Sequence, residues 1–502
     1  MRRFNWKLIA QVTGVLLLYL AAGLLLPLVL SIYERDGMQF AFAVSGMLIL
    51  MAGLFLRNMV GGKAEYRLRQ DESYWLTVAA WVVMPLFGAL PYLFTGVTQS
   101  FTDALFESFS GFTTTGSSVI RHPEELPPSI LAYRALTQWV GGLGLLLFVV
   151  ALLRRLGLGA GSLYEAEFSG TQQRKLHPRL AQSVTRMWTI YGLLTATLWG
   201  LLMVQGVGLV DAFCTACSTV STGGFTTHSE GITALGVHPT STVTVFMFFS
   251  GINVAILYRL FTLRWRHLWR DGELRTYTLL FICSVALCTT AFFLEGNGFS
   301  DSLHFSIFHI ASTMSTCGYH MPVPTHWSFV VSVLTFVLIV IGASAGSTGG
   351  GIKLRRIIIM VKYIANYLTR MIHPNVVFHV KVNNEVVESD YINKVFAFVF
   401  LYIVFIIGGG FVLTMCGCSI PNAVCMAAAN ISNLGPSPLI NTMGGSLDYA
   451  VLPHVAKWTL TLLMLAGRVE LFALLAVVSP AYWRLRLPKA RKKGKPINRL
   501  TN

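Results

Sequence analysis

The chain has 502 residues, of which 12% are charged and 54% hydrophobic. Its mean hydropathy is +0.62, and an average soluble domain carries about 25% charged residues. No stretch holds enough polar residues to cover soluble domains of ordinary size, so a polytopic membrane protein is expected. The formal charge of +16 would suit nucleic-acid binding, but the basic residues cluster between apolar runs at 57–69, 154–186, 259–275, 353–381 and 484–499. That is the signature of cytoplasmic loops, and no nucleic-acid partner is expected.

The first apolar run, 8–30, is too long for the core of a signal peptide and lacks a small-residue cleavage site after it. It reads as a retained transmembrane helix. Further apolar runs long enough to span a bilayer lie near 39–57, 74–95, 133–153, 187–205, 240–261, 276–294, 327–369 (interrupted), 391–415 and 452–479, which makes ten. An even count and basic tails place both termini in the cytoplasm. In the outside loops the only cations are Arg35, Arg121 and Arg134. Lys457, near the end of the last span, is expected to snorkel.

Four shorter apolar segments, 103–114, 211–222, 305–316 and 422–433, cannot cross and read as re-entrant. Irregular backbone at membrane depth is tolerated only around a cavity or inside protein, so four such segments point to a pore. The eight cysteines lie in or beside apolar segments. A disulfide framework, a zinc site and a redox role for Cys214 and Cys217 are all less suited to that setting than simple packing.

The four short segments are copies of one another. Asp103 and Gly116, Asp211 and Gly224, and Asn422 and Gly435 are each 13 residues apart, and the third copy reads Ser312-Thr-Met-Ser-Thr-Cys-Gly318. Gly116, Gly224, Gly318 and Gly435 are spaced by 108, 94 and 117 residues, enough for one unit of span, pore helix, turn and span used four times. Close helix packing would explain one run of small residues. Four in matched positions fit better a narrow passage lined by backbone carbonyls, which can replace the hydration shell of an alkali cation. Pore helices aiming their partly negative ends at the cavity favour a cation.

These loops, Thr113-Thr-Thr-Gly116-Ser, Thr222-Gly-Gly224-Phe-Thr-Thr-His228, Cys317-Gly318-Tyr319 and Asn433-Leu-Gly435-Pro436, resemble the four filter loops of the Trk/Ktr/HKT superfamily of potassium transporters. The two extra N-terminal spans are similar to those of its bacterial TrkH/TrkG type, and His373-Pro-Asn375 and Gly467-Arg-Val-Glu470 extend the likeness over nearly the whole chain. The resemblance implies potassium uptake across a bacterial inner membrane by a homodimer, with a pore in each subunit and a cytosolic nucleotide-binding regulator of the TrkA type. K⁺ is then the cargo, and no organic cofactor is expected on this chain. The implied ion ligands are carbonyls of Thr114, Thr115, Thr222, Gly223, Thr316, Cys317, Asn433 and Leu434. Cys317, Tyr319 and Ser437 depart from the residues usual in such loops.

The expected fold is therefore an all-α polytopic membrane protein with a fourfold, K⁺ channel-like repeat of helix, pore helix, filter loop and helix. Its divisions are two N-terminal helices (1–73), pore repeats at 74–158, 159–270, 271–372 and 391–486, a cytosolic hairpin linker at 373–390 and a basic tail at 487–502 suited to anionic lipid. The run 342–351 interrupts the eighth span and is too glycine-rich for a comfortable helix. A phosphate-binding loop is disfavoured, because the Gly-Lys-Ser/Thr spacing and a preceding strand are missing. Under the resemblance it is an intramembrane gating loop, with Gly346, Gly349, Gly350, Gly351, Lys353 and Arg468 as its expected parts. Arg468 lies inside the last span, where a guanidinium needs acceptors, and an unwound loop offers carbonyls.

A symporter coupling K⁺ to H⁺ or Na⁺ by alternating access is the main alternative. Such proteins use buried acids at broken helices, and here Glu470 is the one acid expected deep in a span. An enzyme is not expected, since no metal-spaced cluster or catalytic dyad lies within the membrane.

Overall fold

The computed structural model describes residues 4–59, 70–142, 180–261, 271–321, 329–373, 379–383, 385–436 and 448–479. Two N-terminal helical passes come first. Trp6–Gly23 breaks at Leu24 and continues as Leu25–Glu34, and Gln39–Asn58 returns beside it. Gly14 and Gly53 let these passes touch, since a Cβ on Gly14 would sit 2.8 Å from the Gly53 carbonyl oxygen. Small residues at a crossing serve membrane helices well, because lipid supplies no hydrophobic force to push helices together.

Four pore units follow, each made of an outer span, a short pore helix and an inner span. The outer spans are Gln70–Gly88 with its continuation Leu90–Phe94, Leu180–Val204, Gly272–Leu294 and Ser389–Met415. The pore helices are Phe101–Phe112, Leu209–Val220, Phe299–Ser315 and Ile420–Ile431. The first is set by its cap: Ser100 Oγ accepts the Asp103 amide at 3.1 Å and donates to the Asp103 carboxylate at 2.8 Å, which satisfies an orphan donor of the first turn. Every residue from Ala104 to Phe112 is buried, Ser108 and Ser110 included, while the span Gln39–Asn58 exposes Phe40, Met47, Met51 and Phe55. Apolar side chains thus face outward and hydroxyls inward, the arrangement a bilayer requires of a polar passage.

Ten crossings were expected. Among the described residues six helices are long and apolar enough to cross, or up to eight when two bent pairs count as spans. The bent pairs are Val237–Ser250 with Val254–Leu260, at 111°, and His454–Arg468 with Phe472–Val478, at 114°. The other two expected spans are Pro128–Gly142, whose continuation lies outside the described residues, and the interrupted pair Phe329–Ile341 and Leu354–Ile372. In the expected hairpin, Lys381–Val382 pairs antiparallel with Glu385–Val386. Residues 374–378 and 384 of that linker, Ser437 and the basic tail lie outside the described residues.

Lys457 does not snorkel. Its side chain is buried, and Nζ donates to Asp103 Oδ1 at 2.6 Å and to the Ala450 carbonyl at 2.9 Å. The inner span of the fourth unit is thereby tied to the first pore helix, a partnership that compensates the charge better than a stretched stem would. Losing one member of a buried ion pair strands the other. Lys457→Met should lower the stability of the detergent-purified protein by about 3 kcal/mol, and adding Asp103→Asn should recover part of that loss. Unchanged thermal unfolding in the single variant would return Lys457 to a surface role.

Candidate ion filter and gate

Each pore helix runs directly into a turn with one repeated backbone conformation. Thr114, Thr222, Thr316 and Asn433, each two residues before a filter glycine, have φ of 55°, 56°, 60° and 51°. The left-handed region is costly for a β-branched residue, so three threonines there mark backbone held by its surroundings. The holding bonds also repeat. The amides of Thr115, Gly223, Cys317 and Leu434 donate back to the carbonyls of Ser110, Ser218, Ser312 and Ala429 at 2.9, 2.8, 3.0 and 2.9 Å. This is the closing bond of a helix C-terminal motif with a left-handed residue.

Gly116, Gly224, Gly318 and Gly435 follow with φ of 86°, 80°, 77° and 84°. A Cβ on Gly116 would strike the carbonyl oxygen of Gly223; on Gly224, that of Cys317; on Gly318, that of Leu434; and on Gly435, that of Thr115. The approaches run through the four turns in chain order and return to the first, so the turns form a closed ring. Four of the eight expected ligand residues, Thr115, Gly223, Cys317 and Leu434, supply the approached carbonyls, and Thr114, Thr222, Thr316 and Asn433 directly precede them in the same turns. Side chains seal the joints: Asn433 Nδ2 donates to Thr115 Oγ1 at 3.0 Å, and Cys317 Sγ lies 3.7 Å from the Thr219 carbonyl. The Tyr319 hydroxyl lies 3.3 Å from Thr219 Oγ1.

The run 342–351 forms a loop whose ends are laced together. The amides of Ile352, Lys353 and Leu354 donate to the carbonyls of Val340, Ile341 and Ala343 at 3.1, 2.9 and 3.1 Å. Its Gly349-Gly350 segment, near the laced base, meets the filters: the Gly350 amide donates to Thr316 Oγ1 at 2.9 Å. A Cβ on Gly349 would lie 2.6 Å from the Ser315 carbonyl oxygen, and one on Gly350 would strike that of Ser432. Arg468 reaches this loop. Its Nη1 donates to the Thr348 carbonyl at 3.1 Å, and its Nη2 to the carbonyls of Gly142, at 3.0 Å, and Gly141. The break in the second unit's inner span holds the same loop, with Asn253 Nδ2 on the Ala345 carbonyl at 2.6 Å and the Val254 amide on that of Gly346 at 3.1 Å.

Several pairings around the site were not readable in the sequence. Glu470 does not sit on the helix of Arg468, because that helix ends there and Glu470 has φ of 55°. Its carboxylate lies 2.6 Å from Arg356 Nη2 and 3.9 Å from Lys353 Nζ, so it grips the returning limb of the loop. Further acids are buried outside the expected spans, Glu273 and Glu107 among them. Glu273 is buried and takes the Ser344 hydroxyl and the Ala345 amide, the latter at 2.6 Å. Glu107 is fully buried in the first pore helix, 2.9 Å from Arg134 Nη2, and accepts the Val119 amide at 3.0 Å. Arg134 is thus no loop cation. It also donates to the Thr226 carbonyl at 3.3 Å, joining the backbone that leaves the first two filters. Nothing in periodicity announces a pair whose members lie on different helices.

A ring of backbone turns fed by four pore helices and capped by an intramembrane loop, all inside an apolar shell, defines a polytopic membrane protein of channel-like architecture. The comparisons agree. Residues 39–485 match the family model TrkH, described as cation transport protein. The Trk system potassium uptake protein TrkH of Escherichia coli (strain K12) is 32% identical over 488 residues, covering 96% of this chain and 100% of that protein. TrkG of the same organism is 30% identical, covering 95% and 99%. The crystal structure of the potassium transporter TrkH from Vibrio parahaemolyticus superposes with a TM-score of 0.85 at 28% identity, over 96% of this chain and 100% of that one. The chain belongs to the TrkH family of cation transport proteins.

At each filter glycine a side chain meets both a positive φ and a neighbouring carbonyl. Replacing any one of the four by Ser should therefore relax discrimination among monovalent cations, whereas Cys317→Ala, which keeps the carbonyl, should retain transport. Cation flux through purified variants in liposomes reads both, and unchanged K⁺ over Na⁺ preference in all four glycine variants would overturn the assignment.

Proposed function

We propose that this chain takes up K⁺ across a bacterial inner membrane through the ring of four turns. The carbonyls of Thr114, Thr115, Thr222, Gly223, Thr316, Cys317, Asn433 and Leu434 are the proposed ligands. The observation that carries this reading is the closed series of glycine-to-carbonyl approaches, which brings uncharged oxygens together without a carboxylate among them. Such a ring exchanges water for carbonyl oxygen at little net cost to a weakly hydrated cation. The printed names of the relatives, potassium uptake proteins and a potassium transporter, support the choice of ion.

The loop 342–351 is the proposed gate, with Gly346, Gly349, Gly350, Gly351, Lys353 and Arg468 as working parts. A guanidinium beside the filters raises the barrier to a cation, and its bond to Thr348 stabilises the closed loop. Opening requires those bonds to be exchanged, which a partner acting on Leu354–Ile372 could favour by binding the open state better. Our reading further assigns the protein a homodimeric state, a cytosolic nucleotide-binding regulator of the TrkA type, and cytoplasmic termini. The family resemblance and the distribution of basic residues support these assignments.

K⁺ flux into liposomes holding the purified protein is expected to proceed without a pH gradient and without Na⁺. A strict requirement for either would favour the symporter instead. Charge-assisted bonds to the loop are worth about 1.5–3 kcal/mol each. Accordingly Arg468→Ala, and independently Glu273→Ala, should raise flux in the absence of any regulator by about tenfold or more, with the ion preference kept. Basal flux no faster than that of the parent chain in both variants would overturn the gate assignment.

A further inference from the structure

Three filters carry a side chain at the residue before the glycine: Thr115, Cys317 and Leu434, all buried against their neighbours. The second filter carries none, because that residue is Gly223. Its φ is not in the left-handed region, so the backbone conformation would accept a side chain. Space would not. A Cβ there would fall on the carboxamide of Gln138, which projects from the inner span Pro128–Gly142 of the first unit.

Gln138 is fully buried and uses both ends of its amide on the second filter. Its Oε1 accepts the Ser218 hydroxyl at 2.7 Å and the Phe225 amide at 3.3 Å, spanning the turn from the last turn of the pore helix to the residue after Gly224. Its Nε2 donates to the Gly223 carbonyl at 2.7 Å. That oxygen is the one which Gly116 of the first turn approaches. Hence one side chain from the first unit supplies the wall that the second filter lacks, and it also fixes the direction of one carbonyl in the ring.

We infer that Gln138 is a specificity-determining positioning residue of the second filter. Its amide takes the place of the side chain missing at Gly223 and holds the Gly223 carbonyl at the angle the ring needs for discriminating K⁺ from Na⁺. The inference rests on the proposed K⁺ reading. A carbonyl has two acceptor lobes, so a bond on one leaves the other for an ion. With that bond removed, the Gly223 peptide can rotate or shift toward the smaller cation, and selectivity falls before conduction does.

The test measures K⁺ and Na⁺ flux for the purified full-length chain in liposomes. Failure of the parent protein to conduct K⁺ would remove the functional reading itself. With a conducting parent, Gln138→Leu keeps the volume and loses the amide, and should lower the K⁺ over Na⁺ flux ratio about threefold to tenfold, the worth of one buried hydrogen bond. If that variant does not purify as folded protein, Gln138→Asn, too short to reach Gly223, is read in the same way. The exchange of fillers adds a readout that a merely structural role would not move. Gly223→Ala alone should degrade the ratio, because its methyl meets Gln138. Gly223→Ala with Gln138→Ala places the methyl in the vacated space and should recover a higher ratio than Gly223→Ala alone. A parent-like ratio in Gln138→Leu, or a double variant no more selective than Gly223→Ala, would overturn the inference.

Discussion

The structure depends on one steric constraint: each filter glycine lies against the carbonyl oxygen that precedes the next filter glycine, and the series closes on itself. No turn can widen alone, because the oxygen it would press belongs to its neighbour. The left-handed backbone at Thr114, Thr222, Thr316 and Asn433 is retained because the amide that follows each of them is tied back into its own pore helix. Backbone held in such regions costs of order 1–3 kcal/mol per residue unless its surroundings over-determine it. Here the surroundings are four helices converging on a ring that none of them completes.

The inner spans of the second, third and fourth units serve the same constraint by breaking. Straight inner helices would carry bulk past the filters. Instead glycines meet the pore-helix ends: a Cβ on Gly141 would strike the Phe112 carbonyl, and one on Gly467 that of Ile431. Breaking a helix exposes carbonyls and amides that lipid cannot satisfy. Those freed groups find one another across units, as the Ser344 amide does with the Gly251 carbonyl at 3.1 Å, while Arg468 collects three carbonyls from two units. The break in the last span therefore supplies a cation to the middle of the loop and, two residues on, an anion to its returning limb.

What the sequence made legible was everything that repeats. Spacing alone located the four turns and their glycines, and the interruption at 342–351 was readable because no helix tolerates that glycine content. The unreadable part consists of pairings between units. Lys457 meets Asp103 across 354 positions, and Gln138 meets Gly223 across 85. Neither partner differs locally from a residue with a bland role, since a lysine near the end of a span ordinarily snorkels and a glutamine on an apolar helix has no period of its own. The bend after Arg468 was hidden for a related reason: Ala466-Gly-Arg468 continues a helical pattern, and only the left-handed Glu470 and Leu471 show that the chain turns.

Backbone equivalence and side-chain divergence between the four turns have a common explanation. If the cargo is held by carbonyls, selection acts on the path of the main chain, and any side chain that keeps that path is admissible. The residues before the four glycines can then be Thr, Gly, Cys and Leu while their amide bonds stay within 0.2 Å of one another, from 2.8 to 3.0 Å. The divergence is absorbed behind the ring, by a carboxamide at one joint, a hydroxyl at another and a thiol at a third. Among the described residues only the third unit interrupts its inner span with a loop of this length, and under the proposed gating one loop would suffice. An ion on a shared axis meets all four units at once, so an obstruction contributed by any one of them closes the whole passage.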